Sequence, residues 1–279
     1  MNDDDLSTTR RSWNIATRNH NSHKGDQAAL LRSGRDVLFP EELELLGSLA
    51  GVNLAHLQCN SGQDSLGLAR RGARVTAVDF SDEAIAFARK LSVDSGIAAD
   101  FIETEIIEWL STTELRFDVA FTSYGTTGWL RDLDAWARGV ARILKPGGRF
   151  VYVEFHPLTY SFRADFSLRG GDDYFATEPF RDPVKDYVAA SGVGLAAVTR
   201  GDTVENTVPA VSWQHGLGEV ITALAKAGLV IEVVREWPYS NGDRPISSLI
   251  DLGERRWGWP PGVARVPLMF GVTARRPAD

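Results

Sequence analysis

The sequence predicts an α/β protein whose core is an open, doubly wound, mainly parallel sheet with helices on both faces. Three observations lead there. Between residues 53 and 154, short β-rich runs alternate with stretches of helical periodicity, as crossover-linked parallel strands require. The second run ends in a carboxylate, Asp79, and the turn after the first closes on Gly62. A Lys145-Pro146-Gly147-Gly148 turn then separates a helix from a fifth β-rich run.

Each element has a local reason. Residues 53–58 (NLAHLQ) read as the first strand. Residues 62–71 read as a helix with Leu66, Leu68 and Ala69 toward the sheet and Gly72 past its end, the usual place for a terminating glycine. Arg74–Asp79 is the second strand; Ser81 caps the next helix, where Ala84, Ile85, Ala88 and Leu91 recur at helical spacing. Asp100–Glu103 and residues 117–122 supply the third and fourth strands. A helix over 133–144 is stopped by the Pro-Gly-Gly turn, and residues 149–155 form the fifth strand.

Beyond His156-Pro157 the periodicity weakens. Residues 157–212 are rich in Gly, Asp and aromatic side chains. A structureless stretch of that length does not suit a compact domain, which predicts an ordered, partly β insertion over the ligand-binding edge. A helix over 217–228 and a closing strand pair, 229–235 and 266–274, follow, with a Trp- and Pro-rich loop over 237–265 between the strands. The predicted division is an N-terminal cap over residues 1–40, the cofactor-binding half of the core over 41–156, a substrate lid over 157–213, and the closing helix and strands over 214–279.

Composition narrows the partners. A net charge of -7 with no Lys/Arg-rich run argues against tracking a nucleic-acid backbone. Cys59 is the only cysteine, which rules out an intramolecular disulfide or a Cys-based zinc cluster and suits a reducing cytoplasm. No run has the apolar length of a signal peptide or a membrane span. Residues 1–11 read as a frayed polar tail.

Open parallel sheets bind ligands at the carboxyl ends of their strands, beside the point where strand order reverses. Asp79 stands there, where an acid accepts hydrogen bonds from both hydroxyls of a ribose, or alternatively caps a helix. The turn Gln58-Cys59-Asn60-Ser61-Gly62 lacks the G-x-G-x-x-G spacing that a diphosphate needs. It suits a cofactor without phosphate whose amino-acid part carries an ammonium and a carboxylate, and it makes NAD or FAD the runner-up. Glu105 and the Ile106 N–H suit an adenine edge, although Glu105 is equally suited to the first turn of a helix.

The runs HLQCNSGQDSLGLARRGARVTAVDFSDEAI, FDVAFTSYGTTGWLRDLDAW and LKPGGRFVYVEFHP resemble a class I S-adenosylmethionine-dependent methyltransferase, of a bacterial small-molecule branch with an LQCNSG-type loop. The likeness covers roughly residues 50–156, and more weakly WQHGLGEVITALAKAGL and the N-terminal WNIATRNHNSHKGD. It implies a seven-stranded Rossmann-like sheet whose last strand is antiparallel and inserted as a hairpin. It also implies site roles: Gln58, Cys59, Asn60 and Gly62 around the methionine part, Asp79 on the ribose, Phe80 against adenine, Glu105 and Ile106 at the adenine edge, and Thr122 and Ser123 near the amino group. The family usually carries Asp where this chain has Glu105, and glycines where it has Gln58 to Ser61.

Methyl transfer from a sulfonium is an in-line displacement that chiefly needs orientation and exclusion of water. A base is required when the acceptor must lose a proton. His156, directly after the fifth strand, is one candidate, with fixing the turn before Pro157 as its other reading; His215 and Tyr124 are the others. His20, His23 and Lys24 lie in the segment expected to fold over the cofactor, and Trp129 and Trp213 are candidates to hold a flat acceptor. No metal-ligand spacing is present. A diphosphate and Mg²⁺ could sit on Asp172, Asp173, Glu178, Arg181 and Lys185, which would suit C-methylation of an isoprenoid diphosphate. The expected function is methyl transfer to O, N or C of a small molecule in natural-product (secondary) metabolism. A non-catalytic cofactor-binding protein is an alternative, a nicotinamide-dependent oxidoreductase a weaker one, and homo-oligomerisation is left open.

Overall fold

The computed structural model describes residues 3–169, 173–191, 195 and 203–278. Three helices come first: α1 (Asp3–Ser22), α2 (Gln27–Arg32) and α3 (Pro40–Leu46). The expected frayed tail is thus corrected. Its polar residues are one face of a twenty-residue helix whose other face buries Thr9, Ser12, Ala16, Thr17 and His20.

The alternating core follows: β1 (Asn53–Leu57), α4 (Gln63–Arg70), β2 (Arg74–Asp79), α5 (Asp82–Ser95), β3 (Asp100–Glu103), α6 (Ile106–Thr112), β4 (Phe117–Ser123), α7 (Leu133–Ile143) and β5 (Leu144–Phe155). Ser81 does cap α5, its hydroxyl accepting from the Ala84 N–H at 3.1 Å. The fifth strand begins earlier than expected. Phe117 pairs with Leu144 and Val119 with Arg149, so the Pro-Gly-Gly segment is an irregularity inside the strand rather than a turn before it.

After β5 come β6 (Phe180–Pro183), α8 (Tyr187–Ser191) and β7 (Pro209–Ser212), with β6 and β7 antiparallel and lying along α1 through Thr9 Oγ1, which accepts from the Val211 N–H at 3.0 Å. Then α9 (Leu217–Lys226), β8 (Val230–Trp237), β9 (Tyr239–Asn241), β10 (Ile250–Gly253), β11 (Arg256–Gly258) and β12 (Met269–Arg275) complete the chain. The expected loop over 237–265 is instead a three-stranded antiparallel sheet, ordered β10-β11-β9. Its own small core buries Ile246, Leu249, Trp257, Trp259 and Leu268. Glu41 of α3 ties this sheet to the body by accepting from Tyr239, Asn241 and Arg256.

The main sheet runs β3-β2-β1-β4-β5-β12-β8, and β12 is antiparallel to both neighbours. Successive residues of one strand supply opposite cores. Val151 and Val153 pack with α2 to α5, whereas Phe150 and Tyr152 pack with α6, α7 and α9. That double burial explains why the strands read as nearly continuous apolar runs. The order reverses between β1 and β4, and the carboxyl ends of these strands open onto a cavity. No helix among the described residues is long and apolar enough to cross a membrane.

Candidate active site

The cavity, of about 890 Å³, lies at the carboxyl ends of β1, β2, β4 and β5 and is roofed by α1 and the segment between β5 and α9. Its floor is built by tight backbone turns. Gln58 and Asn60 both adopt positive φ, 54° and 47°, conformations that Asn tolerates better than most residues. This lets the chain leave β1 sharply and present Gln58, Cys59 and Asn60 to the cavity.

Asp79 closes the same turn from β2. Its Oδ2 accepts the Asn60 N–H at 2.8 Å and its Oδ1 the Ser81 N–H at 2.9 Å. Burial pushes its carboxyl up to about 6, against these N–H groups and that of Phe80, which favour the anion. Asp79 also fronts the cavity, beside Phe80, and Glu105, Ile106 and Ser123 join the same wall. Glu105 meets both of its readings: it lines the cavity and caps α6 by accepting the Glu108 N–H at 2.8 Å.

Two residues expected at the cofactor lie elsewhere. Thr122 is fully buried and gives its hydroxyl to the Leu57 carbonyl at 3.1 Å, linking β4 to β1. Gly62 is not part of the cavity wall. It lets the loop approach α5 and β3, since a Cβ there would lie 2.7 Å from both Ala88 Cβ and Phe101 Cε1.

The histidines separate clearly. His156 does not line the cavity: its Nδ1 accepts the Leu158 N–H at 3.2 Å and its Nε2 faces Glu236 at 3.1 Å, so it fixes the turn after β5. His20 is buried behind the wall, tilted at 56° against Tyr187 with ring centroids 4.2 Å apart and bonded through Nε2 to the Lys185 carbonyl. Burial pushes it down to about 4, so it is neutral near pH 7. His23 contacts Asp186, also outside the cavity wall. By contrast His215 does line the cavity, and its Nε2–H donates to the Leu130 carbonyl at 2.7 Å.

Tyr124, Trp129, Trp213 and Lys24 also line the cavity. Tyr124 is a wall rather than a free hydroxyl, because Asn241 donates to its oxygen at 3.1 Å and burial with Glu42 nearby holds its phenol well above the usual range. Lys24 faces Asp64, and burial lowers its ammonium to about 8. Of the diphosphate candidates, Asp172 lies outside the described residues, Arg181 is paired with Asp5 at 2.8 Å, and Glu178 is not in the wall. Asp173 and Lys185 do reach the cavity, but among the described residues no group of three or more His, Cys, Asp or Glu could hold a metal.

Several wall residues had no sequence signal. Glu154, next to last in β5, holds the loop after β4: it accepts the N–H groups of Gly125 and Thr126 and the Tyr152 hydroxyl. Asp64, Tyr160, Tyr187, Asp243 and Arg255 arrive from four separate parts of the chain. Of these only Glu154, an acid near the carboxyl end of a strand, has a placement that a reader of the sequence could have used.

The polar groups fit S-adenosylmethionine. Gln58 Oε1 is buried with no hydrogen-bond partner among the described residues, although its Nε2 is fixed to the Thr126 carbonyl at 2.9 Å. An orphaned acceptor on the cavity floor calls for a ligand donor such as an ammonium. Asp79 supplies a carboxylate for hydroxyl donors nearby, and Lys24 a cation for a carboxylate.

Comparison with known proteins agrees with this geometry. Residues 55–148 match the methyltransferase domain family. Ubiquinone biosynthesis O-methyltransferases from Alkalilimnicola ehrlichii and Xylella fastidiosa are each 30% identical, over 121 residues (43% of this chain, 49% of the relative) and 151 residues (50% and 61%) respectively. The chain thus spans roughly half the length of the curated relatives it matches. Among solved structures, an S-adenosylmethionine-dependent methyltransferase from Mesorhizobium loti superposes with a TM-score of 0.54 at 23% identity, covering 85% of this chain and 96% of that one. The DhpI–SAH complex gives 0.55 at 15% identity, covering 99% and 98%. Residues 55–148 match the methyltransferase domain family, and the chain carries the Rossmann-like fold of class I S-adenosylmethionine-dependent methyltransferases.

Proposed function

We propose that the chain binds S-adenosylmethionine and transfers its methyl group to an oxygen of a small aromatic acceptor. The observation that carries this reading is Gln58 Oε1, buried without a hydrogen-bond partner among the described residues, in a cavity that the Asp79 carboxylate and several aromatic side chains also line. The O-methyltransferase names of the relatives support oxygen as the acceptor atom. When bound, the donor supplies an electrophilic methyl group on a sulfonium.

The chain's own residues position the reactants. Gln58 Oε1 accepts from the ammonium of the amino-acid part, and Lys24 pairs with its carboxylate. Asp79 accepts from the ribose hydroxyls, Phe80 packs on adenine, and Glu105 with the Ile106 N–H meets the adenine edge. Trp129 and Trp213 bound the acceptor side. Trp129 is held by its Nε1–H, which donates to the Gly125 carbonyl at 2.7 Å. A rigid aromatic wall fixes a flat acceptor at little entropic cost.

Isothermal titration with S-adenosylhomocysteine and with NAD tests the cofactor: binding of the first and not the second is expected. Incubation with methyl-labelled donor and a pool of hydroxylated aromatics then tests turnover. Binding without transfer would identify a non-catalytic scaffold, and affinity for NAD alone would refute the reading.

A further inference from the structure

We infer that Asp243 is the general base, taking the proton from an aromatic hydroxyl of the acceptor, an assignment that rests on the methyl-transfer reading above. Asp243 follows β9, and its side chain reaches the cavity from the small sheet. The other carboxylates in the wall have other commitments. Asp79 and Glu154 hold backbone N–H groups of adjoining turns, and Glu105 caps α6. Asp64 faces Lys24 and Arg255, while Asp173 and Asp182 are exposed.

The backbone N–H of Arg244, in its own loop, donates to Asp243. The neighbouring guanidinium is turned away: Arg244 donates twice to the Leu249 carbonyl, at 3.1 and 2.7 Å, and lies 4.7 Å above the Trp257 ring. Among the described residues no cation lies within ion-pair distance of Asp243. A sheltered carboxylate without a counter-ion is costly to keep, and in a cleft such a group marks a functional site. His215 has a structural reason for its place, the Leu130 carbonyl, and carries no such cost.

The surroundings suit a phenol. Tyr160, on the turn after β5, and Tyr187, on α8, line the same cavity as Asp243, and its charge acts on both phenols, together with Glu154 on Tyr160 and with Asp64 and Asp186 on Tyr187. Two tyrosines and a carboxylate in one cavity wall suit a flat hydroxylated ring, with the carboxylate as acceptor for its O–H. In the reaction the acceptor O–H proton passes to an Asp243 oxygen. The oxygen's electron pair bonds the methyl carbon, and the carbon–sulfur pair stays on sulfur, which loses its positive charge. Asp243 then releases the proton to solvent. Burial raises its carboxyl to about 6, so it is ionised at neutral pH yet a better base than an exposed aspartate.

The test uses the full chain with catechol and 3,4-dihydroxybenzoate as acceptors and S-adenosylhomocysteine as the binding probe. Asp243→Asn should lower kcat about 100-fold with S-adenosylhomocysteine affinity within about threefold of wild type. Asp243→Glu, which keeps the carboxylate, should recover at least about a tenth of wild-type kcat. With S-adenosylmethionine held saturating, so that the Asp79 titration does not enter, kcat/KM for catechol in wild type should fall as pH drops below about 6, and this limb should vanish in Asp243→Asn. In carbon-13 spectra of the wild type with S-adenosylhomocysteine bound, catechol should shift the Asp243 carboxyl resonance. The inference is overturned if Asp243→Asn keeps more than about a third of kcat, if both substitutions are equally inactive, if the acid limb persists, or if the loss appears in His215→Asn instead. It is also overturned if the wild type binds S-adenosylhomocysteine but methylates neither acceptor. Absence of that binding would refute the methyl-transfer reading itself.

Discussion

Asp79 Oδ2 accepts the Asn60 N–H at 2.8 Å, so the carboxylate that faces the cavity also holds the turn forming its floor. Loop and ligand therefore share one side chain. Replacing Asp79 by Ala should weaken S-adenosylhomocysteine binding by about 3 kcal/mol or more, roughly 100-fold, since charged hydrogen bonds contribute about 1.5–3 kcal/mol each. Titration calorimetry on the folded variant measures this. Wild-type affinity should also fall as pH drops through about 6, because the ligand hydroxyls donate to the ionised carboxylate. The variant should show no such dependence from this position.

His56, at the fourth position of β1, is buried, with Nδ1 2.7 Å from Ser65 Oγ. Burial pushes it down to about 3 from 6.5. It is neutral in the fold and takes a proton when unfolded. Its contribution is therefore present above pH 6.5 and is lost as pH falls from 6.5 toward 3, at up to about 1.4 kcal/mol per pH unit. Urea unfolding of His56→Gln across pH 4.5 to 7.5 should show a stability slope shallower than wild type by about that amount. Asp79 and Asp243 tilt the slope the other way in both proteins and cancel in the difference.

Gly62 adopts φ +74°, and the space for a Cβ is filled by Ala88 and Phe101 at 2.7 Å. Gly62→Ala should cost about 2–4 kcal/mol, from the left-handed backbone and the overlap together, measured by chemical unfolding. A loss below about 0.5 kcal/mol would show that the loop is not pressed against α5.

His156→Ala should cost about 1–2 kcal/mol by removing the acceptor for Leu158 N–H and the contact with Glu236. Affinity for S-adenosylhomocysteine and turnover should both remain within about threefold. A large fall in turnover with stability intact would restore His156 to the chemistry.

The legibility of the site follows the range of the interactions. Asp79, Phe80 and the 58–60 turn were readable because strand, acid and turn are consecutive in the chain and parallel pairing of β1 with β2 aligns them. His156 misled because its sequence position, at a strand end, is that of a catalytic group, while its orientation depends on Glu236 eighty residues later. Residues 237–265 read as a loop because their strands are only three or four residues long, too short for periodicity to register.

By itself the sequence determined the order of the five core strands β1 to β5, the Ser81 cap and the acid at the end of β2. Apolar spacing, capping and turn chemistry act over a few residues and leave their pattern in the string. Only the tertiary structure decided which histidine meets the cavity, that α1 roofs it, and that Asp243 shares its wall with Tyr160 and Tyr187. Those outcomes depend on how segments 80 to 200 residues apart dock. Docking is governed by shape and burial, which local sequence does not encode.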